Sequence, residues 1–434
     1  DNPDMKVIYG VEAYLVPDKE KSVKNPRGQV LNDATYCVLD LETTGFSVIH
    51  DGITEFGAVK IKNGEVIDRL QSFIHPGKSI GTRVSQLTSI TNEMVADAPS
   101  IKDFLPKILE FFEGSILVAH NAKFDIGFLN ESLKRLGQEP IQNPVIDSLA
   151  LARAIMKPMK SYRLGNVCRV YRVNYDDEVA HRADYDAEVL GSVFTTMLHS
   201  IMQNGYYNLL DLNKLQKDDA YKIVFPYHMT ALALNKEGLK NMFKIISYAA
   251  TKYLVKSPRI PRHIIESHRE DLLIGSGCYN GEVFKAALTK NEDELKDIMA
   301  FYDYIEVQPI SNYTHLVARH DINSIEEVKY ALEKIIKCAK EAGKLIVATS
   351  DAHTLTKEDK IYREIIVHQN VPGKGRHPLA RYLNLKGYET IPDQYFRTTE
   401  EMMAEFSFLE PKLTHEIVIE NPNKIFIYVF LSVL

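Results

Sequence analysis

Four acidic residues and one histidine, supplied by three separate segments, constrain the fold of this chain more than any other feature. Asp40 and Glu42 stand two residues apart in a predicted strand, so their side chains point to the same face. Asp125 falls in the first turn of a predicted helix, and His181 and Asp186 straddle the start of another. Two carboxylates on one face repel each other unless cations or protons lie between them. The pattern predicts that folding gathers these donors in one cation-binding pocket.

The chemistry of such a donor set is that of a nuclease. Mg²⁺ is usually held by a few carboxylates together with water and substrate phosphate. Two ions about 4 Å apart can clamp the attacking and leaving oxygens of a phosphodiester displacement. The histidine would take the proton of the attacking water. We therefore expect two Mg²⁺ or Mn²⁺ ions here, and spacing alone predicts metal-assisted phosphodiester hydrolysis.

Each residue also has an ordinary structural interpretation when it is taken alone. Asp-x-Glu is a common sequence, and an acid in the first turn of a helix is favoured by the helix dipole. A lone histidine before a helix is more often a surface or capping residue. Order, local context and spacing agree for all five residues together, and this combination favours the active site.

The pattern around these residues predicts an α/β domain over residues 34–202. Asn63-Gly64 joins two predicted strands as a hairpin, and Ser100 opens an amphipathic helix in the manner of a capping box. From His228 onward short strands alternate with helices, which fits a barrel or a doubly wound sheet. A second capping serine, Ser324, begins a helix there.

Composition narrows the class of protein. A chain of 434 residues should hold two or three domains, or one domain with a large insertion. A formal net charge of −6 excludes a broadly basic DNA-coating surface. Contact with a nucleic-acid backbone would then need a local patch, for which the candidates are Lys160, Arg163, Lys374, Arg376 and Arg381.

The cysteines and the chain ends suggest a cytoplasmic location and a longer parent protein. Four cysteines without close pairing, and no signal peptide, favour a reducing compartment. The apolar run at 425–434 is β-prone and shorter than the roughly 20 residues that span a bilayer. The chain opens without an initiator methionine and closes on this run, so we interpret it as a piece of a longer chain.

The acidic motifs resemble the three exonuclease motifs of the DEDDh proofreading superfamily over about residues 35–200. The resemblance implies an RNase H-like mixed-sheet exonuclease domain that removes nucleotides in the 3′→5′ direction. It makes His181 the general base, and it implies four metal ligands, namely Asp40, Glu42, Asp125 and Asp186. It also implies that an unpaired 3′-terminal nucleotide is held by Thr43, Thr44, Phe46, Asn121 and Phe124.

A second set of candidate ligands lies outside that domain, near predicted strand ends where α/β barrels place their chemistry. The set comprises Glu12, His228, Cys278, Asp351 and His353. Mixed donors of this kind suit Zn²⁺ or Mn²⁺ better than Mg²⁺. Together they resemble the later metal motifs of a PHP (polymerase and histidinol phosphatase) domain. The His-x-His strand that opens the family's site is missing before Glu12, so the site is incomplete.

Glu12 precedes the nuclease motifs and His228 follows them, which implies an exonuclease domain inserted into a partial PHP (β/α) barrel. This arrangement resembles the PolC-type catalytic subunits of bacterial DNA polymerase III. The resemblance implies as partners a single-stranded or frayed 3′ end of DNA, the remainder of the polymerase, a sliding clamp and its clamp loader. It divides the chain into an N-terminal PHP piece (1–18), a linker (19–33), the exonuclease (34–202), a C-terminal PHP piece (203–395) and the start of a polymerase region (396–434).

Three functional hypotheses remain open at this point. The first is the proofreading 3′→5′ exonuclease portion of a replicative polymerase, without a polymerase palm in this chain. The second is a non-enzymatic scaffold module of that polymerase. The third is a PHP-type metal phosphoesterase.

Overall fold

The computed structural model describes residues 7–18, 21–159, 161–176, 179–215, 220–319, 321–371, 375–376, 379 and 391–431. Three candidates for a basic patch, Lys160, Lys374 and Arg381, lie outside the described residues.

The strands, in chain order, are β1 (Gly10–Val16), β2 (Val23–Lys24), β3 (Thr35–Thr43), β4 (Ile53–Lys62), β5 (Glu65–Phe73), β6 (Ser115–Ala119), β7 (Val145–Asp147), β8 (Tyr227–Ala233), β9 (Arg259–Pro261), β10 (Leu272–Gly275), β11 (Tyr304–Val307), β12 (Leu345–Ala348), β13 (Asn370–Val371) and β14 (Gly375–Arg376).

The α-helices are α1 (Thr82–Thr88), α2 (Asn92–Val95), α3 (Ile101–Phe112), α4 (Ala122–Arg135), α5 (Ser148–Ile155), α6 (Leu164–Tyr171), α7 (Ala183–Gln203), α8 (Lys236–Thr251), α9 (Arg262–Ser267), α10 (Glu282–Thr289), α11 (Glu292–Met299), α12 (Thr314–Ala318), α13 (Ile325–Glu341), α14 (Lys360–His368), α15 (Thr399–Glu405), α16 (Pro411–His415) and α17 (Asn421–Leu431). Among the residues just described, no helix has the length and apolar character needed to cross a membrane.

The chain divides into two compact units. We call Pro17–Val224 the inserted unit, and Asp1–Val16 together with Phe225–Leu434 the host unit. Each is built on a mixed six-stranded sheet with helices, which confirms the predicted α/β class.

The sheet of the inserted unit has the strand order β2-β7-β6-β3-β4-β5. Strands β3, β6 and β7 are parallel, whereas β4 pairs antiparallel with β3 and β5 pairs antiparallel with β4. The hairpin between β4 and β5 turns at Asn63 and Gly64, whose φ angles are 53° and 81°. A type I′ turn requires positive φ at both positions, which is why this dipeptide predicted the hairpin correctly.

Two apolar layers cover the two faces of this sheet. Tyr36 and Val38 pack on the side of α7, whereas Leu39 and Leu41 pack on the side of α3 and α4. The alternation follows from the two-residue period of a strand. By the same alternation, Asp40 and Glu42 lie on the face of β3 that is turned toward α7.

Helix α7 approaches β4 very closely at Gly57. A Cβ at this position would overlap the backbone of Ala183 and Asp184. Gly57 pairs with Asp40 across the β3–β4 ladder. The missing side chain therefore lets the first turn of α7 lie directly over the acidic part of the sheet.

The predicted linker and the predicted end of the exonuclease domain differ from the structure. Within residues 19–33, Val23 pairs with Ile146 in the sheet and Leu31 is buried in the core of the inserted unit. Beyond residue 202, Leu209 and Leu212 are buried in the same core. The polar composition of the linker concealed these few apolar anchors, which extend the unit to Pro17–Val224.

The sheet of the host unit has the order β12-β11-β10-β8-β1-β9. Strands β10, β11 and β12 are parallel, and β8 and β1 are antiparallel neighbours. The described strands leave β12 and β9 as edges, so within the described part of the chain this sheet is open and forms no closed barrel.

The C-terminal apolar run is helical through Leu431, and not extended as its β-prone composition suggested. The side chain of Asn421 donates a hydrogen bond to the Ile346 carbonyl at 2.8 Å. Ile425 packs against Val347 of β12. This contact with the edge strand favours the helix over local β-propensity. Residues 396–431 accordingly belong to the host unit.

We predict that Gly57→Ala destabilises the inserted unit by about 1–3 kcal/mol, because an added methyl group overpacks the contact with α7. Urea unfolding followed by circular dichroism would measure the change. Gly28→Ala is the matched control, since a Cβ at Gly28 meets nothing within 4 Å. Equal stability of the two variants would contradict the close approach.

Candidate active site

Strand β3 carries the first two acids of the site. Asp40 and Glu42 lie on the face that Tyr36 and Val38 begin, toward α7. Both acids are half-buried, whereas Leu41 between them is buried in the opposite core. The strand therefore delivers two carboxylates side by side into a partly closed space.

The third acid, Asp125, comes from the first turn of α4. It is buried, and its Oδ1 accepts a hydrogen bond from the Leu41 amide at 3.1 Å. Asn121, which precedes the helix, has a left-handed backbone with φ of 76°. This turn redirects the chain from β6 into α4 and places Asp125 against β3.

His181 and Asp186 complete the pocket from the start of α7. The backbone of His181 is left-handed, with φ of 65°, and its amide donates to Asp186 Oδ2 at 3.0 Å. The other carboxylate oxygen of Asp186 is buried without a hydrogen-bond partner among the described residues. Donor atoms of Glu42, His181 and Asp186 lie within 4.8 Å of one another.

Burial and mutual repulsion hold protons on these acids. Burial raises the pKa of Glu42 to about 9, with further repulsion from Asp186 and Glu55. Burial also raises the pKa of Asp125 to about 8. The pKa of Asp40 is raised well above its usual range by burial and by the charges of Asp125 and Glu42.

The donor set fits hard divalent cations. The charges of Asp125, Glu42 and Asp186 all raise the pKa of Asp40, in keeping with their closeness to it. A cation would replace the protons that the raised pKa values otherwise retain, and it would satisfy the orphaned oxygen of Asp186. Oxygen donors with one nearby imidazole match Mg²⁺ or Mn²⁺ better than softer metals.

Of the expected substrate contacts, Phe46 and Phe124 form an aromatic pair beside the pocket. Their ring centroids are 6.3 Å apart, and Phe46 is 66% exposed. An exposed ring supported by a second ring can stack on a base of any sequence. Asn121 is also exposed, on the loop that opens α4.

Thr43 and Thr44 are buried and use their hydroxyls within the protein. Thr43 Oγ1 donates to the Gly45 carbonyl at 2.6 Å. Thr44 Oγ1 donates to Asp51 Oδ1 at 3.1 Å and accepts from the Gly52 amide at 3.0 Å. Their side chains shape the loop after β3, so any contact with a substrate would come through that loop.

Sequence reasoning missed Glu55 and Arg182. Glu55 is fully buried in β4, where it pairs in register with Glu42. Its carboxylate accepts two hydrogen bonds from Arg182, which follows His181. The sequence did contain one signal for Glu55. Side chains alternate between the two faces of β4, and this alternation places Glu55 on the same face as Gly57 and Val59.

The host unit brings together three of the five residues expected there. Donor atoms of Glu12, His228 and Cys278 lie within 4.8 Å of one another. His228 Nδ1 lies 2.5 Å from Glu12 Oε1 and 3.3 Å from Cys278 Sγ. Strands β1 and β8 are neighbours, and the loop after β10 brings Cys278 to their edge.

Asp351 and His353 lie outside that three-residue group. Asp351 Oδ2 accepts a hydrogen bond from Gln394 at 2.5 Å, and Oδ1 lies 3.4 Å from His353 Nε2. The charge of Asp351 nevertheless influences the Cys278 thiol. Burial, followed by the charge of Asp351, raises the pKa of Cys278 well above its usual value.

Residues 37–194 match the RNase_T family, described as exonuclease. The matched range includes all five residues of the acidic pocket. The chain therefore contains an exonuclease domain, as its motifs predicted.

Nearly the whole chain is similar to proteins named DNA polymerase III PolC-type, and the resemblance inferred from the motifs is thereby confirmed. Identity is 39% with the protein of Oceanobacillus iheyensis, 40% with that of Bacillus subtilis and 41% with that of Lactococcus lactis, each over 97% of this chain. The chain covers 29%, 29% and 26% of these relatives. It thus spans less than a third of the length of the curated relatives it matches.

Two solved structures are also similar to part of the chain. Exonuclease X in complex with 5′-overhanging duplex DNA matches at 23% identity and a TM-score of 0.33, covering 41% of this chain and 99% of that one. The nuclease domain of 3′hExo, a DEDDh family member bound to rAMP, matches at 17% identity and a TM-score of 0.34, covering 41% and 96%.

We predict that the metal-free protein loses stability as pH rises toward 9. The folded-state pKa values of Asp125 and Glu42 lie above their unfolded values of about 4, so the stabilisation that they give below pH 4 is lost as pH rises through their folded values. Mg²⁺ or Mn²⁺ should therefore raise the melting temperature more at pH 9 than at pH 6.

The same repulsion predicts that Asp40→Asn stabilises the metal-free protein at pH 8 by about 1–2 kcal/mol and removes the stabilising effect of metal. Asp97→Asn, a change at an exposed acid, is the control. Thermal unfolding in EDTA and in excess Mn²⁺ would measure both effects. A metal-induced rise that persists in Asp40→Asn would contradict the assignment of the pocket.

Proposed function

Because this chain is homologous to part of PolC-type DNA polymerase III and contains an exonuclease domain, we propose that it removes nucleotides from the 3′ end of DNA. The observation that supports this proposal most directly is the gathering of four acids and one histidine in a single pocket. Acids in this arrangement are costly unless they hold cations, which is the requirement of metal-assisted hydrolysis.

In this proposal Asp40, Glu42, Asp125 and Asp186 bind two divalent cations, for which Mg²⁺ and Mn²⁺ are the candidates. When bound, the cations activate the attacking water and stabilise the departing 3′ oxygen. Asp186 is oriented for this task by the His181 amide, and Asp125 by the Leu41 amide. The four carboxylates arrive from one strand and two helices, so the backbone fixes their spacing before any ion binds.

His181 acts as the general base in this proposal. It lies in the loop before α7, where it is exposed beside Glu42 and Asp186. A ring nitrogen of the imidazole takes the proton of the attacking water and passes it to solvent. Exposure suits this role, because the proton must leave before the next cycle.

Phe46 and Phe124 hold the base of the terminal nucleotide. Stacking on these rings tolerates every base, as removal of any misincorporated nucleotide requires. A single strand fits this contact because an unpaired base exposes its face.

The proposed biological role is proofreading within a replicative DNA polymerase in the cytoplasm. By similarity to PolC-type polymerases, its partners are the rest of the polymerase, the sliding clamp and the clamp loader. DNA, and not RNA, is the proposed substrate on the same ground.

The cluster of Glu12, His228 and Cys278 supports a second proposal, a Zn²⁺ or Mn²⁺ site in the host unit. Three mixed donors within 4.8 Å of one another fit such an ion, with Asp351 close by as a further acid. His353 is the remaining candidate, placed beside Asp351. In this proposal the ion stabilises the host unit or supports a phosphoesterase activity.

We predict that the purified chain shortens 3′-labelled single-stranded DNA stepwise in Mg²⁺ or Mn²⁺. Asp40→Ala should abolish digestion, and His181→Ala should lower kcat about 10²–10⁴-fold, as loss of a general base does. Phe46→Ala should weaken DNA binding about 5–100-fold through lost stacking. Asp97→Asn is the control.

Three outcomes of this assay separate the hypotheses. Digestion that vanishes in Asp40→Ala supports the exonuclease. Digestion that persists in Asp40→Ala and is lost in Asp351→Ala assigns the activity to the host unit. A folded chain that leaves DNA intact would favour the scaffold hypothesis.

We predict that the host unit binds one Zn²⁺ or Mn²⁺ per chain with Cys278 as a ligand. Cys278→Ser should lower the affinity about 10–100-fold, because thiolate is the softest donor of the set. Calorimetric titration and elemental analysis would measure affinity and stoichiometry in a Glu42→Ala/Asp186→Ala background, which takes two of the three clustered donors from the other site. Cys338→Ser, a buried cysteine on α13, is the control, and unchanged binding in Cys278→Ser would contradict this site.

A further inference from the structure

We propose that Glu55 and Arg182 are positioning residues whose ion pair fixes the first turn of α7 on β4 and thereby aligns His181 and Asp186 with Glu42. This inference rests on the proposed exonuclease function. It assigns a role to two residues that contribute nothing to the pocket's set of candidate metal ligands.

The pair has the geometry of a fixed contact. Arg182 Nε donates to Glu55 Oε2 at 3.0 Å, and Arg182 Nη2 donates to Glu55 Oε1 at 2.8 Å. Two parallel hydrogen bonds restrict the orientation of both planar groups. Gln71 Nε2 donates a further bond to Glu55 Oε1 at 2.9 Å, and the guanidinium lies 5.2 Å from the centre of the Phe73 ring.

Glu55 also supplies the cap that α7 lacks from its own sequence. Arg182 is the N-cap residue and its side chain makes no capping bond. Glu55 Oε2 instead accepts from the Ala183 amide at 3.1 Å, so a carboxylate from a neighbouring strand satisfies the helix start. The strand therefore holds the residue before the helix and the first residue within it.

This contact acts on the pocket through very short connections. Arg182 follows His181 directly, and Asp186 lies one turn into the same helix. Glu55 pairs with Glu42 across the β3–β4 ladder. The ion pair thus ties the helix that carries two site residues to the strand beside the one that carries Glu42, next to the close approach at Gly57.

The pair is also suited to a site crowded with negative charge. Glu55 is fully buried, and another uncompensated carboxylate beside Glu42 would add to the repulsion. Arg182 supplies the compensating charge, and its field acts on Glu42 in the opposite direction. Removing Arg182 alone leaves the buried Glu55 carboxylate without its counterpart, and removing Glu55 alone leaves the half-buried Arg182 guanidinium without its partner.

A second ion pair between α7 and the hairpin provides a matched control. Arg69 Nη2 on β5 lies 2.9 Å from Glu188 Oε1 on α7, and both side chains are more than half exposed. It joins the same helix to the same hairpin on the solvent side. Exposed pairs of this kind contribute little to stability or to geometry.

Activity of the full chain on 3′-labelled single-stranded DNA is the first test. We expect Glu55→Gln to lower kcat about 10–100-fold, as loss of a supporting contact in a metal site does. KM for DNA should stay within about twofold, because the aromatic pair is untouched. Glu188→Gln should retain both constants, and a Glu55→Gln variant with the kcat of the unmodified chain would overturn the inference.

The double variant Glu55→Gln/Arg182→Gln separates positioning from a purely structural role. Removing both charges should restore the melting temperature lost in Glu55→Gln, because the half-buried guanidinium is no longer left without a partner. The kcat should stay low, since the helix start is no longer tied to β4. Recovery of kcat together with stability would show that the pair only maintains the fold, and would overturn the inference.

Hydrogen exchange distinguishes failure of this inference from failure of the proposed function. Amides from His181 to Asp186 should exchange at least about tenfold faster in Glu55→Gln than in Glu188→Gln, whether or not the chain cleaves DNA. Faster exchange in a chain that never digests DNA would reject the exonuclease and keep the positioning role. Unchanged exchange would reject the positioning role itself.

Discussion

The four carboxylates of the pocket repel one another, and the rest of the inserted unit must hold them together against this repulsion. Burial raises the pKa values of Asp40, Glu42, Asp125 and Asp186, so the metal-free pocket keeps protons that water would remove. Such a pocket survives only if the surrounding structure holds it in place. The two apolar layers around β3 supply that support, because they fix the strand from both sides. The apolar core therefore offsets the loss of stability that the acidic pocket causes.

Two residues of the pocket have a left-handed backbone. Asn121 directly precedes the helix that carries Asp125, and His181 lies two residues before the first residue of the helix that carries Asp186; both adopt left-handed φ angles. Residues with side chains seldom adopt this conformation, and they persist in it where the surroundings over-determine the backbone. Both turns point a helix start, with its favourable dipole, toward the acids. At the N-terminal ends of α4 and α7, the turn that directs the helix and the helix dipole both favour the position of the acid in the first turn.

The sequence predicted features that local chemistry determines. The Asn63-Gly64 hairpin and the helix begun by Ser100 were correct because turn and cap preferences act within a few residues. Glu55 was missed because its significance comes from register with Glu42 and from Arg182, more than a hundred residues away. The linker and the C-terminal run were misjudged for the same physical reason. In each, a few contacts distant in sequence outweighed local composition, as with Leu31 in the core and the packing of α17 on β12.

Strands β1 and β8 are direct antiparallel neighbours, and Leu15 pairs with Tyr227 although about two hundred residues separate them in the chain. The inserted unit consequently occupies the position of an ordinary hairpin loop. Pairing of β1 with β8 requires only that the two ends of the connecting segment lie close together. Surface loops that meet this condition are the sites where insertion of a whole domain is best tolerated. A short turn between β1 and β8 would leave the strand order of the host sheet unchanged, so the sheet can carry a whole nuclease domain at this point without a different topology.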